Sequence, residues 1–92
     1  YLILNAGILG KIDKIKNIPV KEFLNILKIN FLSNKILIDI FLKKKIKIKN
    51  VIAISSGAAK SGKDGWGLYC TSKAAFYQLI NTYNLEHKKI YY

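Results

Sequence analysis

The chain has no methionine and no arginine, and cysteine, proline, histidine and tryptophan occur once each in its 92 residues. A single cysteine, Cys70, excludes an internal disulfide and is compatible with a reducing cytoplasm; it reads as a small buried hydrophobe. The lack of arginine bears on the charge. A net charge of +11 comes from 16 lysines set against five acidic residues, and such a balance ordinarily points to nucleic acid or an anionic membrane. The guanidinium fork that suits phosphates and bases is missing, however. Lysine, isoleucine and asparagine are abundant together, as codons rich in A and T would produce, so neither nucleic acid nor a membrane is an expected partner. Lys43, Lys44, Lys45, Lys47 and Lys49 read as a solvated helix end and turn. Long apolar runs are also lacking. The longest, residues 36–42, is interrupted by Asp39 and is too short to cross a bilayer, and no signal peptide is visible, so a cytoplasmic location is expected. A chain without methionine that opens inside an apolar run reads as a piece of a longer protein. No metal-ligating residues are assigned.

What is present centres on Tyr69-Cys70-Thr71-Ser72-Lys73. Tyrosine and lysine four positions apart on a helix share one face, so a phenol and an ammonium can be aimed at one point. A nearby cation favours the phenolate and lowers a phenol's pKa, which suits an acid/base pair. Upstream, Ser55 and Ser56 close the apolar run 51–54, where a strand would present hydroxyls at its carboxyl end, the side on which open α/β sheets bind ligands. An amphipathic helix with a packed tyrosine and a solvated lysine would carry the same pentapeptide, so the rest of the chain has to decide.

Residues 1–4 form an apolar run stopped by Asn5-Ala6-Gly7, as expected of a parallel strand buried on both faces. Residues 8–18 have no firm pattern. Pro19 suits the first turn of a helix, expected from residue 19 to about residue 45. Its apolar positions form more than one stripe and so need cover on more than one side, unless isoleucine merely fills neutral surface. Asn30 lies inside this helix, where a buried amide needs partners. Residues 50–56 read as a second strand, which makes a right-handed β-α-β crossover. A glycine-rich loop, residues 57–66, carries Trp66, either as the apolar wall of a substrate pocket or as an anchor for the loop. A second helix is expected over residues 67–87, and His87 near its end has no assigned role.

In this order, Asn5-Ala6-Gly7, Asn30, Ser56 and Tyr69 with Lys73 resemble the short-chain dehydrogenase/reductases. Ser55 to Lys60 and Gly65 to Cys70 look most like the branch containing sepiapterin reductase and benzil reductase. The resemblance covers essentially the whole chain. It implies an α/β fold, the central β-α-β-α part (residues 1–92) of one doubly wound Rossmann-type NAD(P)-binding domain, without the Gly-rich phosphate turn upstream or the later strands and lid. It further implies an oxidoreductase that reduces a carbonyl or oxidises an alcohol with NADP or NAD, NADP being favoured by the branch. Asn5, Ala6 and Gly7 would then line the cofactor. Asn30 would order a water and helix backbone near the lysine, and Ser56 would bind the carbonyl oxygen. Tyr69 would be the general acid, and Lys73 would perturb the phenol and hold the ribose; Trp66 would border the substrate. The whole protein would be a homodimer or homotetramer. Two other readings stand beside this one: an inactive truncated remnant of such an enzyme, and a basic module for nucleic acid or membrane.

Overall fold

The computed structural model describes residues 1–5, 7–44 and 48–88. Ala6, Lys45 and Lys47 therefore lie outside the described residues, as does the end of the chain from residue 89. Strand β1 (Leu2–Leu4) pairs in parallel with β2 (Val51–Ala53), Leu2 opposite Val51 and Leu4 opposite Ala53. Leu2 N–H donates to the Asn50 carbonyl at 2.9 Å, and Ile54 N–H to that of Leu4 at 3.0 Å. Both strands are shorter than their apolar runs.

Between the strands runs a continuous helical rod made of α1 (Val20–Leu27), a π-helical stretch (Lys28–Leu32) and α2 (Ser33–Lys43). Pro19 is the N-cap, with φ −61° and ψ 147°, and helical geometry starts one residue later. The rod is where an uninterrupted helix was expected, but the π stretch was not. Ser33 N–H reaches back five residues to the Lys28 carbonyl. Side chains serve neighbouring carbonyls: Ser33 Oγ donates to Ile29 at 2.6 Å, and Asn34 Nδ2 to Asn30 at 3.1 Å. Such back-bonding competes with the regular ladder and suits a local departure from α geometry.

Helix α3 (Gly67–Glu86) follows a loop that contains a 3-10 turn (Gly57–Ala59). Helices α2 and α3 pack on one face of the sheet, where Ile38, Phe76 and Tyr83 meet Leu2, Leu4 and Val51. The strands are consequently buried on one face only: Leu4 is 2% exposed while Ile3 between its buried neighbours is 60% exposed. That corrects the expectation of a strand covered on both faces, because no described element of this chain lies over Ile3 and Ile52. A second cluster, Ile18, Ile26 and Leu68, seats the 8–18 loop against the start of α3. Gly10 makes that seat possible. Its φ is +75°, and a Cβ there would come within 2.8 Å of Ile26 Cδ1. Cys70 is buried, as its chemistry suggested. Leu24, Leu32, Ile36 and Ile40 stay exposed on the outer side of the rod.

Candidate active site

Helix α3 carries Tyr69 and Lys73 one turn apart, and the two differ in environment. Tyr69 is half-buried, whereas Lys73 is 5% exposed. The Lys73 ammonium lies 5.7 Å from the centre of the Tyr69 ring and 5.6 Å from that of Phe76. No salt bridge is formed by Lys73 among the described residues. Burial disfavours the charged form and holds its pKa below the ordinary 10.5.

The loop after β1 closes on this ammonium. A Cβ at Gly7 would lie 3.0 Å from Lys73 Nζ and 3.5 Å from Asn30 Oδ1, so a glycine is what lets main chain and ammonium approach. Asn30 fixes the loop. Its side chain is fully buried in the π stretch; Oδ1 accepts from Ile8 N–H at 2.8 Å and Nδ2 donates to the Ile8 carbonyl at 2.8 Å. Nδ2 also donates to Ser72 Oγ at 3.0 Å, and the Ser72 hydroxyl donates to the Tyr69 carbonyl at 2.8 Å. Three segments distant in sequence are thereby tied together by one amide. That satisfies the buried polar groups and leaves the nearby charge available.

Ser56 lies just beyond β2 and caps the 3-10 turn, its Oγ accepting from Ala58 N–H at 3.2 Å. Ser55 instead borders a groove of about 390 Å³ between β2 and α3, lined by Val51, Phe76, Tyr77 and Ile80 and by none of the site residues. Trp66 is the N-cap of α3 and stands edge-on to Tyr69, ring centres 6.1 Å apart at 83°. The Lys63 ammonium covers its ring at 4.0 Å. Trp66 therefore anchors the loop and also borders the tyrosine. Asn5 is exposed at the end of β1. His87 packs its ring on Tyr83 at 5.9 Å, away from this cluster.

The family model for short chain dehydrogenases matches residues 1–90. The chain belongs to the short chain dehydrogenase family. It is similar to benzil reductase ((S)-benzoin forming) of Bacillus cereus, 40% identical over an alignment that covers 94% of this chain and 37% of that protein. The crystal structure of a short chain dehydrogenase/reductase from Saccharomyces cerevisiae superposes with a TM-score of 0.88 at 32% identity, covering 97% of this chain and 36% of that one. The fold is also that of a Shigella flexneri 2a short chain dehydrogenase complexed with NADP, with a TM-score of 0.84 at 22% identity over 96% of this chain and 38% of that one. The chain thus spans little more than a third of the length of the curated relatives it matches. Its α/β architecture is the Rossmann-type fragment expected from the sequence.

Sequence reasoning did not find Ser72 and Asn34, or the Ile8 main chain that Asn30 grips. The available signal was two asparagines, Asn30 and Asn34, four apart and so on one helical face.

Proposed function

We propose that residues 1–92 are the central part of one NAD(P)(H)-dependent oxidoreductase domain that reduces a carbonyl compound, or oxidises the alcohol, with Tyr69 as general acid. The observation that carries this reading is the convergence at Gly7: a buried ammonium that has no carboxylate partner among the described residues, set close against a main chain that bears no side chain. An ammonium held against the main chain keeps donors for the hydroxyls of a ribose. Lys73 would hold that ribose, and Asn5, Ala6 and Gly7 would line the same side. When bound, a nicotinamide dinucleotide supplies the hydride.

The remaining chemistry belongs to the protein. Tyr69 gives its phenolic proton to the carbonyl oxygen as negative charge develops there, a contribution of roughly 10²–10⁴-fold for general acid catalysis. Ser56 already accepts from Ala58 N–H, which leaves its hydroxyl proton to donate to the same oxygen. Lys73 sets a positive charge beside the Tyr69 ring. Asn30 holds the Ile8 loop against that charge, and a water ordered there returns a proton to Tyr69 from solvent. Trp66 gives the substrate an aromatic wall. A bulky aryl carbonyl compound of the benzil kind is the substrate class favoured by the Bacillus relative, and the sepiapterin and benzil reductase branch favours NADP over NAD.

The exposed row Leu24, Leu32, Ile36 and Ile40 supports a homodimer or homotetramer of the whole protein. No helix among the described residues is long and apolar enough to cross a membrane, and a cytoplasmic enzyme is the reading we adopt. The test is Tyr69→Phe in the whole protein, assayed with benzil and NADPH. A folded variant with undiminished turnover would sink the mechanism.

A further inference from the structure

Ser72 is fully buried on the catalytic helix, yet the proton transfer set out above makes no use of it. Its hydroxyl proton is committed to the Tyr69 carbonyl at 2.8 Å, so the oxygen can only accept from Asn30, whose Nδ2 lies 3.0 Å away. Nδ2 has two hydrogens, and the other goes to the Ile8 carbonyl. Turning the amide over would set Oδ1 against that carbonyl and Nδ2 against the Ile8 N–H, two repulsive contacts in place of two hydrogen bonds of 2.8 Å. With the proton of Ser72 already committed, every member of the set has one arrangement open to it.

We infer that Ser72 is a positioning residue: by accepting the Asn30 amide it locks the Ile8 loop, and with it Gly7, against the Lys73 ammonium. The inference rests on the proposed role of Lys73 for its catalytic consequence, but its structural part stands alone. Ser72 bonds to Asn30 and to the Tyr69 carbonyl, and its effect on the loop passes through Asn30.

The experiment compares wild type, Ser72→Ala, Ser72→Cys and Asn30→Ala, with the double variant, in the whole protein, folding being checked by thermal melting. Hydrogen exchange at the Ile8 amide is the first readout. Exchange should quicken about tenfold in Ser72→Ala, with Ser72→Cys, a weaker acceptor of similar size, in between. Turnover with benzil and NADPH is the second, and a role confined to packing would not produce its pattern. Ser72→Ala should lower kcat about tenfold with the carbonyl KM within twofold, and should add nothing in the Asn30→Ala background. Unchanged Ile8 exchange in a folded Ser72→Ala protein, or a full tenfold effect on top of Asn30→Ala, would overturn the inference. A wild-type protein that reduces no carbonyl would refute the proposed function instead, and the exchange readout would still decide the role of Ser72.

Discussion

Two polar clusters hold α3 in place, and they treat charge in opposite ways. Where α3 meets α2 on the outer side, Asp39 is ion-paired with Lys35 one turn earlier and accepts the Tyr83 hydroxyl. The Lys35 hydrogen bond, then that of Tyr83, holds the Asp39 carboxyl below its ordinary value. Around Lys73 the binding is done by neutral groups alone, the Asn30 amide, the Ser72 hydroxyl and the Ile8 peptide. The only charge there is left without a carboxylate among the described residues. A paired charge is spent on structure, whereas an unpaired one is destabilising unless something that binds there uses it. On the function proposed above, the contrast separates a scaffold contact from a working site.

The comparison breaks most sharply at Tyr69. Replacing it with Phe removes one hydroxyl and should lower kcat by about 10²-fold or more, measured in steady state, with melting temperature unchanged. Lys73→Met comes next and sharpens the difference between the clusters. Dinucleotide affinity measured by calorimetry should fall about tenfold, while thermal stability should hold or rise, because a buried unpaired charge gives way to an apolar chain of similar length. If the variant melts well below wild type, the ammonium has a structural partner and the contrast fails.

The pH dependence of stability should also divide the clusters. Asp39 has a folded value below its ordinary 3.8, so its contribution is complete above that value and is lost as pH falls through the folded one. Lys73 has a folded value below 10.5. Between the two values the unfolded chain carries a proton that the folded chain lacks, so stability rises with pH there. Denaturant melts of wild type and Lys73→Met should therefore draw together in the alkaline range, where the penalty of the buried charge is lifted, and those of wild type and Asp39→Asn should draw together in the acid range. The smallest effect is expected from Asp39→Asn at neutral pH, within about 1 kcal/mol for a partly exposed ion pair. A larger loss would mean that the outer cluster is no simple surface contact.

The order of elements was legible because apolar runs bounded by Asn-Ala-Gly and Ser-Ser-Gly mark strands leading into ligand-side turns. Tyr69 and Lys73 were legible because one helical turn is a local distance. Burial of β1 was not. The cover over Ile3 and Ile52 does not lie in the described residues, and a continuous apolar run says only that cover is needed somewhere. The partner of Asn30 was not legible either. Ile8 is 22 residues away and takes part through its main chain, which no side-chain pattern reveals. The expected cofactor and the role proposed for Ser56 came from the resemblance to a family, since spacing alone does not give them.

The π stretch has a consequence for helical phase. The buried residues Ile26, Asn30, Asn34 and Ile38 recur every four positions along the rod. In a regular α-helix four residues overshoot a turn by about 40°, so three such steps would carry Ile38 roughly 120° away from Ile26. A π turn takes up one extra residue, about 100° of rotation, and returns the row to nearly a single line. One insertion's worth of backbone thus allows Ile26 to face the loop cluster, Asn30 to face Lys73 and Ile38 to face the sheet. Deleting one residue from the stretch Lys28–Leu32 would put α1 and α2 out of step, leaving the molecule to choose between its hydrophobic core and its lysine.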